Sequence, residues 1–443
     1  MKLRSSYPLL AAALLLPCCS ALFNAALLSG GVFAAALTAS LLILIVFIFK
    51  PTHLKKTYPK IYVIYDGCRQ IKTFRVSIVF HIIMFVLLKT IFKITFVPSL
   101  VFILVAYAVI MLLMISGGVR LFLASTQISL TLRVLMATLF WVPVANLIVM
   151  KKAERTAWQE FDREAARIEL DNARAENEIC KTKYPILLVH GIFFRDLNFF
   201  NYWGRVPKEL IKNGADIYYG DQPSAASVEE CGNFLKDRID DIISMTGCEK
   251  VNIIAHSKGG LDSRYAAALP GCAEHIASIT TVNTPHRGCL YADYLLGKLP
   301  KTIISWIAAK YNAALSRFGE KADFIEGVTD LTAARCAEFN ETHPIPEGVY
   351  CRSVGSYMKK STSAGFPLNF AYVLVKLFSR TENDGLVDLE SMKWGDSFTV
   401  YSPKTKRGIS HGDAIDLFRE DISGYDVREV YVKLVEDLKN RGL

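Results

Sequence analysis

The stretch VNIIAHSKGG, residues 251–260, begins with apolar residues, breaks at His256-Ser257-Lys258 and ends on two glycines. A strand that stops abruptly in a serine and is followed by helix-like sequence (GGLDSRYAAAL) fits the nucleophile elbow G-x-S-x-G, with Ala255 in place of the first glycine. Small residues at 255 and 259 let strand and helix approach while Ser257 is held on a tight turn with its hydroxyl exposed. The alternative is a serine that merely caps a helix after a glycine-rich turn. The rest of the chain decides between the two.

A serine hydroxyl is a poor nucleophile near neutral pH and needs an imidazole base that a carboxylate orients. On a strand-turn-helix elbow the chain order is serine, acid, histidine. Three histidines follow Ser257 at a useful distance. His286, in NTPHRG, ends an earlier strand, and His343 lies between acids and prolines in an expected surface loop. His411, in KRGISHGDAIDLF, comes just after the last expected strand (397–402) and before a helix, and is the candidate base. For the acid, RTENDGLVDLES offers Asp384, in a tight turn between Asn383 and Gly385, with Asp388 in reserve. An ordinary Asp-Gly turn would look the same. The developing oxyanion needs preorganised N–H donors. The Lys258 backbone supplies one, and Ile192, in the loop after the strand ending LLVHG, supplies the other.

Short apolar runs (YPILLVHG, ADIYYG, KVNIIAHS, IASITTVNTP, VYCRSVGS, FTVYS) alternate with helix-like segments, the pattern of a mostly parallel sheet with helices on both faces. From about Tyr184 to Leu443 the chain resembles a bacterial lipase or esterase of the α/β-hydrolase superfamily, similar to the triacylglycerol lipases. VHGIFF, NYWGRVP, AHSKGGLDSRY, VNTPHRG, NDGLV and GISHGD carry the resemblance, in the family's order and spacing. It implies Ser257, Asp384 and His411 as a triad and Ile192 and Lys258 as oxyanion-hole backbones, the same residues that the chemistry selects. Some relatives bind calcium beside the catalytic histidine, and Asp413 stands two residues after His411 as in those. Asp413 also suits the first turn of a helix, and neither a metal nor a cofactor is expected.

The part before residue 150 differs in kind. It holds 13 Lys/Arg and one acid, Asp66, whereas residues 151–443 hold 38 Lys/Arg and 41 Asp/Glu, so the net +9 divides into +12 and −3. Apolar runs at about 9–28, 31–49, 76–96, 98–116 and 134–150 approach the roughly 20 residues that cross a bilayer, so the basic balance points to a membrane and not to nucleic acid. A cleaved secretory signal competes for the first run only. Lys50–Arg75 reads as a basic loop on the cytoplasmic side. The last run carries Pro143 and Asn146 near its middle and either crosses or dips back. The sole acid falls in the basic loop, which leaves proton-coupled transport without a carboxylate relay.

These features predict a transmembrane region over 1–150 with four or five spans, a charged helical linker over 151–181 and an α/β-hydrolase domain over 182–443. The segment 290–320, rich in Leu, Ile, Trp and Tyr, reads as a helical lid over an acyl-binding cleft, or as two packed core helices. Ten scattered cysteines show no metal-ligand spacing and suit reduced core thiols, which leans the catalytic part towards the cytoplasmic face of a bacterial cell membrane. The expected activity is serine ester hydrolysis of lipid or other acyl esters through an acyl-enzyme, with no obligate protein partner. Acyl transfer by the same triad is the alternative within enzymes; a non-catalytic membrane scaffold that keeps the fold is the alternative outside them.

Overall fold

The structure is a computed structural model that describes residues 5–49, 59–174, 176–192, 202–223, 225–298, 300–316 and 324–443. The chain forms two compact units, residues 1–173 and 174–443.

In the first unit four helices are long and apolar enough to cross a membrane: α1 (Tyr7–Asn24), α2 (Gly30–Phe49), α3 (Pro59–Thr90) and α4 (Phe96–Ala124). The expected basic loop over Lys50–Arg75 is corrected here, because α3 already begins at Pro59 and carries Asp66 as a buried helical residue. The reason is partner supply. The Gln70 amide donates to the Phe47 carbonyl at 2.9 Å, Arg120 donates to Gln70 Oε1 at 2.7 Å, and Arg69 lies 3.6 Å from Asp66. A helix of 32 residues is about 48 Å long, more than the roughly 30 Å of hydrocarbon, so the polar first half of α3 has length to spare.

The fifth apolar run does not make one long helix. It divides into α5 (Leu130–Thr138) and α6 (Pro143–Arg174). Proline at the first helical position forfeits no intrahelical bond, and Asn146 Nδ2 donates to the Phe140 carbonyl at 2.9 Å across the break. Beyond residue 150 α6 continues unbroken and buries Ala153, Ala157, Phe161 and Ile168 in the first unit's core.

The second unit is built on six parallel strands in the order β2-β1-β3-β4-β5-β6, with β1 (Ile186–Val189), β2 (Ile217–Tyr219), β3 (Val251–His256), β4 (Ile276–Val282), β5 (Tyr350–Ser356) and β6 (Ser397–Tyr401). β1, β3 and β4 are buried along their whole length, so β1 is wholly apolar and polar side chains of β3 and β4 pair within the sheet, Ser278 Oγ donating to Asn252 Oδ1 at 2.6 Å. One face of the sheet is covered by α7 (Val206–Lys212) and α15 (Val427–Asn440), whose Val432, Val435 and Leu438 are fully buried with Ile186 and Trp203. The other is covered by α8 (Val228–Thr246) and α9 (Gly259–Ala268). α10 (Leu290–Lys298), α11 (Lys301–Ser316), α12 (Phe324–Thr329) and α13 (Ala333–Thr342) lie between β4 and β5, and α14 (Leu368–Phe378) between β5 and β6.

This is the α/β-hydrolase arrangement. β1 continues to β2 on one side, and the chain then returns to place β3 on the other side of β1, so strand order reverses between β1 and β3. Ligands bind outside the carboxyl ends of strands at such a reversal.

Candidate active site

Ser257 follows β3 directly, with φ at +55°, the left-handed region that a residue with a Cβ seldom adopts. Such a conformation costs on the order of 1–3 kcal/mol and persists only where its surroundings enforce it. Here the Ser257 N–H donates to the Val282 carbonyl at 3.0 Å, and the Ser257 carbonyl accepts from Gly260 N–H at 3.1 Å as α9 begins. Two glycines allow the close approach. A Cβ on Gly259 would lie 2.3 Å from the His190 carbonyl oxygen, and one on Gly191 would lie 2.7 Å from Ser257 Cβ. The β1 loop therefore packs directly against the elbow.

Asp384 and His411 meet although 27 residues separate them. His411 Nδ1 donates to Asp384 Oδ2 at 2.6 Å, and the His411 N–H donates to the Asp384 carbonyl at 2.8 Å. The Leu386 and Val387 N–H groups donate to Asp384 Oδ1 at 2.9 and 2.8 Å, and Asn283 Nδ2 donates to Oδ2 at 2.7 Å. Four donors thus fix a carboxylate with no exposed surface. The His411 ring lies 4.4 Å, centroid to centroid, from that of His256, the neighbour of Ser257. Among the described residues no hydrogen bond joins Ser257 to His411. Bonds of this kind often tighten only when substrate binds.

The other sequence candidates lie elsewhere. Asp388 accepts from the Ser391 N–H at 3.1 Å, and burial raises its carboxyl above the usual range. His286 is buried between Thr281 Oγ1 at 2.9 Å and Arg264 at 3.2 Å, and burial holds its imidazole well below the usual value. His343 stacks on Phe339 with ring centroids 4.2 Å apart. Asp413 accepts from Ser410 N–H at 2.9 Å and Oγ at 2.7 Å and lies 3.2 Å from Arg407. The expected lid is helical over α10 and α11; its residues 299 and 317–320, like Phe193 and Phe194 of VHGIFF, lie outside the described residues.

The sequence did not single out three supports. Asn283, with φ at +50°, bridges Asp384 and Ser356, to whose Oγ it donates at 2.8 Å. Tyr202 Oη accepts from the Gly191 N–H at 2.9 Å and lies 2.6 Å from His256 Nδ1. Burial and then the neighbouring His411 hold the His256 imidazole well below its usual value. The Lys258 side chain turns inward and donates to Asp262 Oδ1 at 2.7 Å, both being almost fully buried. Burial pushes the Asp262 carboxyl up to about 6 against the opposing pull of Lys258.

Comparison with known proteins gives a consistent picture. A PGAP1-like alpha/beta domain matches residues 222–329. The triacylglycerol lipase of Vibrio cholerae is 30% identical over 238 residues, covering 49% of this chain and 76% of that protein. The triacylglycerol lipase of Burkholderia plantarii is 32% identical over 185 residues, 39% of this chain, and the chain spans about half of its length, 51%. Among solved structures, the mature lipase BlEst2 of Bacillus licheniformis aligns over 57% of this chain and 92% of its own with a TM-score of 0.43 and 22% identity.

Proposed function

The chain belongs to the triacylglycerol lipase family and is a carboxylic ester hydrolase, and we propose that Ser257, His411 and Asp384 cleave acyl esters of lipids through an acyl-enzyme. Ser257 Oγ attacks the ester carbonyl as His411 takes its proton. The imidazolium then gives that proton to the departing alkoxide. Water, activated by the same imidazole, attacks the acyl-enzyme, releases the fatty acid and restores Ser257. Asp384 keeps His411 Nδ1 protonated, so that Nε2 is the basic nitrogen, and stabilises the charge that develops on the ring. The Ile192 and Lys258 N–H groups receive the oxyanion.

One observation carries this reading: a serine held at positive φ on a strand-to-helix turn, with the Asp384-His411 pair at the neighbouring strand ends. Membrane residence belongs to the same proposal. The four long apolar helices support an anchor that holds the enzyme at its lipid supply, and ten unpaired cysteines support a cytosolic face for the catalytic unit.

Ser257→Ala tests the nucleophile. Hydrolysis of a lipid ester and labelling by a fluorophosphonate should both fall by several powers of ten while the circular dichroism spectrum is unchanged. Turnover within tenfold of the parent would refute the assignment. Labelling intact and opened membrane vesicles, with protease added outside, reports the side on which the serine lies.

A further inference from the structure

α14 is apolar on both faces. Leu368, Tyr372 and Val375, spaced as one helical stripe, are buried. Phe370, Val373 and Leu377, at i, i+3, i+7 spacing, form a second stripe that is 67%, 50% and 75% exposed, and Phe366, just before the helix, is 83% exposed. A helix that has already committed one apolar stripe to the core leaves the other in water at a cost, and an exposed patch of this kind marks an interaction surface. The stripe continues onto α10, where Tyr294 is exposed and its ring centroid lies 4.9 Å from that of Phe378.

The charge around the stripe identifies what covers it. Residues 357–381 contain four basic residues, Lys359, Lys360, Lys376 and Arg380, and no acid. All four are exposed, and none forms an ion pair among the described residues. Residues 294–319 repeat the pattern, with Lys298, Lys301, Lys310 and Arg317 and no acid. From residue 151 onward acids outnumber bases, 41 to 38, so the acid-free basic stretch that contains α14 departs from the composition of the sequence around it.

We propose that the outer face of α14, with its basic rim, docks on a bilayer that carries anionic headgroups. Phe366, Phe370, Val373 and Leu377 enter the boundary between headgroups and acyl chains, and the lysines and arginine meet lipid phosphates and carboxylates, as interfacial helices do. The same helix supports the site. Asn383 Nδ2 donates to the Tyr372 carbonyl at 3.5 Å, and a Cβ on Gly385 would lie 3.3 Å from Leu368 Cβ. The loop that carries Asp384 therefore rests on the inner face of α14, and docking the outer face presents that end of the sheet to the lipid surface. α14 is distinct from the segment expected to move as a lid, standing between β5 and Asp384. The docking itself does not depend on the catalytic assignment.

The test uses the full chain reconstituted in vesicles of phosphatidylcholine, with and without one third phosphatidylglycerol. Phe370→Trp should add fluorescence that lipids brominated near the headgroup quench, more strongly in the anionic vesicles and less at high salt. Phe370→Glu/Leu377→Glu, at positions too exposed to threaten the fold, should lower hydrolysis of a bilayer-embedded ester at least tenfold in anionic vesicles and leave a short soluble ester within twofold. Absent quenching together with unchanged vesicle hydrolysis overturns the proposal. So does a change from dimer to monomer in the double glutamate variant with vesicle hydrolysis retained, since the stripe would then serve a second copy of the chain. If the parent hydrolyses no ester, the catalytic reading fails while quenching still reports docking.

Discussion

Replacing Gly259 by alanine tests the contact between the elbow and the β1 loop. The added Cβ would lie 2.3 Å from the His190 carbonyl oxygen and 2.8 Å from that of Val189, against about 3.4 Å for ordinary contact, so something must move by about 1 Å. Both obstacles are backbone. The His190 carbonyl is also held by Gln222 Nε2 at 2.8 Å, so it cannot turn aside without breaking that bond. The displacement therefore reaches the start of α9 or the loop that carries Ile192, and in either case the two proposed oxyanion donors separate from their working positions. Overpacking of this kind costs about 1–3 kcal/mol of stability. A misplacement of about 1 Å costs on the order of 10²-fold in rate, equivalent to about 2.7 kcal/mol of transition-state stabilisation. Steady-state hydrolysis of a short p-nitrophenyl ester should show the loss in kcat more than in KM, and thermal denaturation should report the stability change separately. Gly297→Ala in α10, where an added Cβ meets no atom within 4 Å, is the control and should gain about 0.5–1 kcal/mol in stability. A folded Gly259→Ala enzyme with kcat within threefold of the parent would refute the reasoning.

Other substitutions probe the remaining parts. Asp384→Asn should lower kcat by about 10⁴-fold, as loss of the orienting acid does in related triads, while Asp388→Asn should leave kcat within fivefold; a reversed order in ester hydrolysis would exchange their roles. Asn283→Asp replaces a donor 2.7 Å from Asp384 Oδ2 with a second acid. Losing a hydrogen bond to a charged group costs about 1.5–3 kcal/mol, so kcat should fall by about one to two powers of ten. A chain starting at Arg174 should hydrolyse water-soluble esters at a rate near that of the full chain, since every proposed catalytic residue follows it. A folded but inactive fragment would show that the first unit completes the site.

The features legible in the sequence were those set by local rules. The elbow at Ala255–Gly259, the Asn383-Asp384-Gly385 turn and the strand ends before Ile192 and His411 each need a particular backbone, and residue type alone records that need. What escaped was long-range. Asn283 touches Asp384, 101 residues later, and nothing local distinguishes its amide from that of any turn asparagine. The i, i+4 spacing of Lys258 and Asp262 is plain in the sequence, but that spacing usually marks a solvated helix face, and only the packing of α8 and α9 on the sheet buries the pair. Asp66 misled for the same reason. A window of hydropathy counts Lys60, Asp66, Arg69, Lys72 and Arg75 as loop-like charges, whereas inside α3 Arg69 lies beside Asp66 and Arg75 pairs with Glu154 of α6. In the run 134–150 Pro143 marked the interruption, and what the sequence left open was that the helix after it runs unbroken to Arg174.

The position of α15 governs when the enzyme can become active during synthesis. β1 is made early in the second unit, yet the face of β1 that bears Ile186 is closed by Val432, Val435 and Leu438 of the last helix. A ribosome adding roughly 5–20 residues per second needs on the order of 15–50 s to translate the stretch from Arg174 to the end of α15. For that interval the nascent catalytic core lacks one of its walls and exposes the apolar face of its parallel strands, while the helices of the first unit are already complete. Ribosome-bound chains that end before Val427 should therefore be protease-sensitive and inactive even though they already contain Ser257, Asp384 and His411. Such a delay keeps the ester hydrolase unarmed until the four long apolar helices of the first unit have left the ribosome.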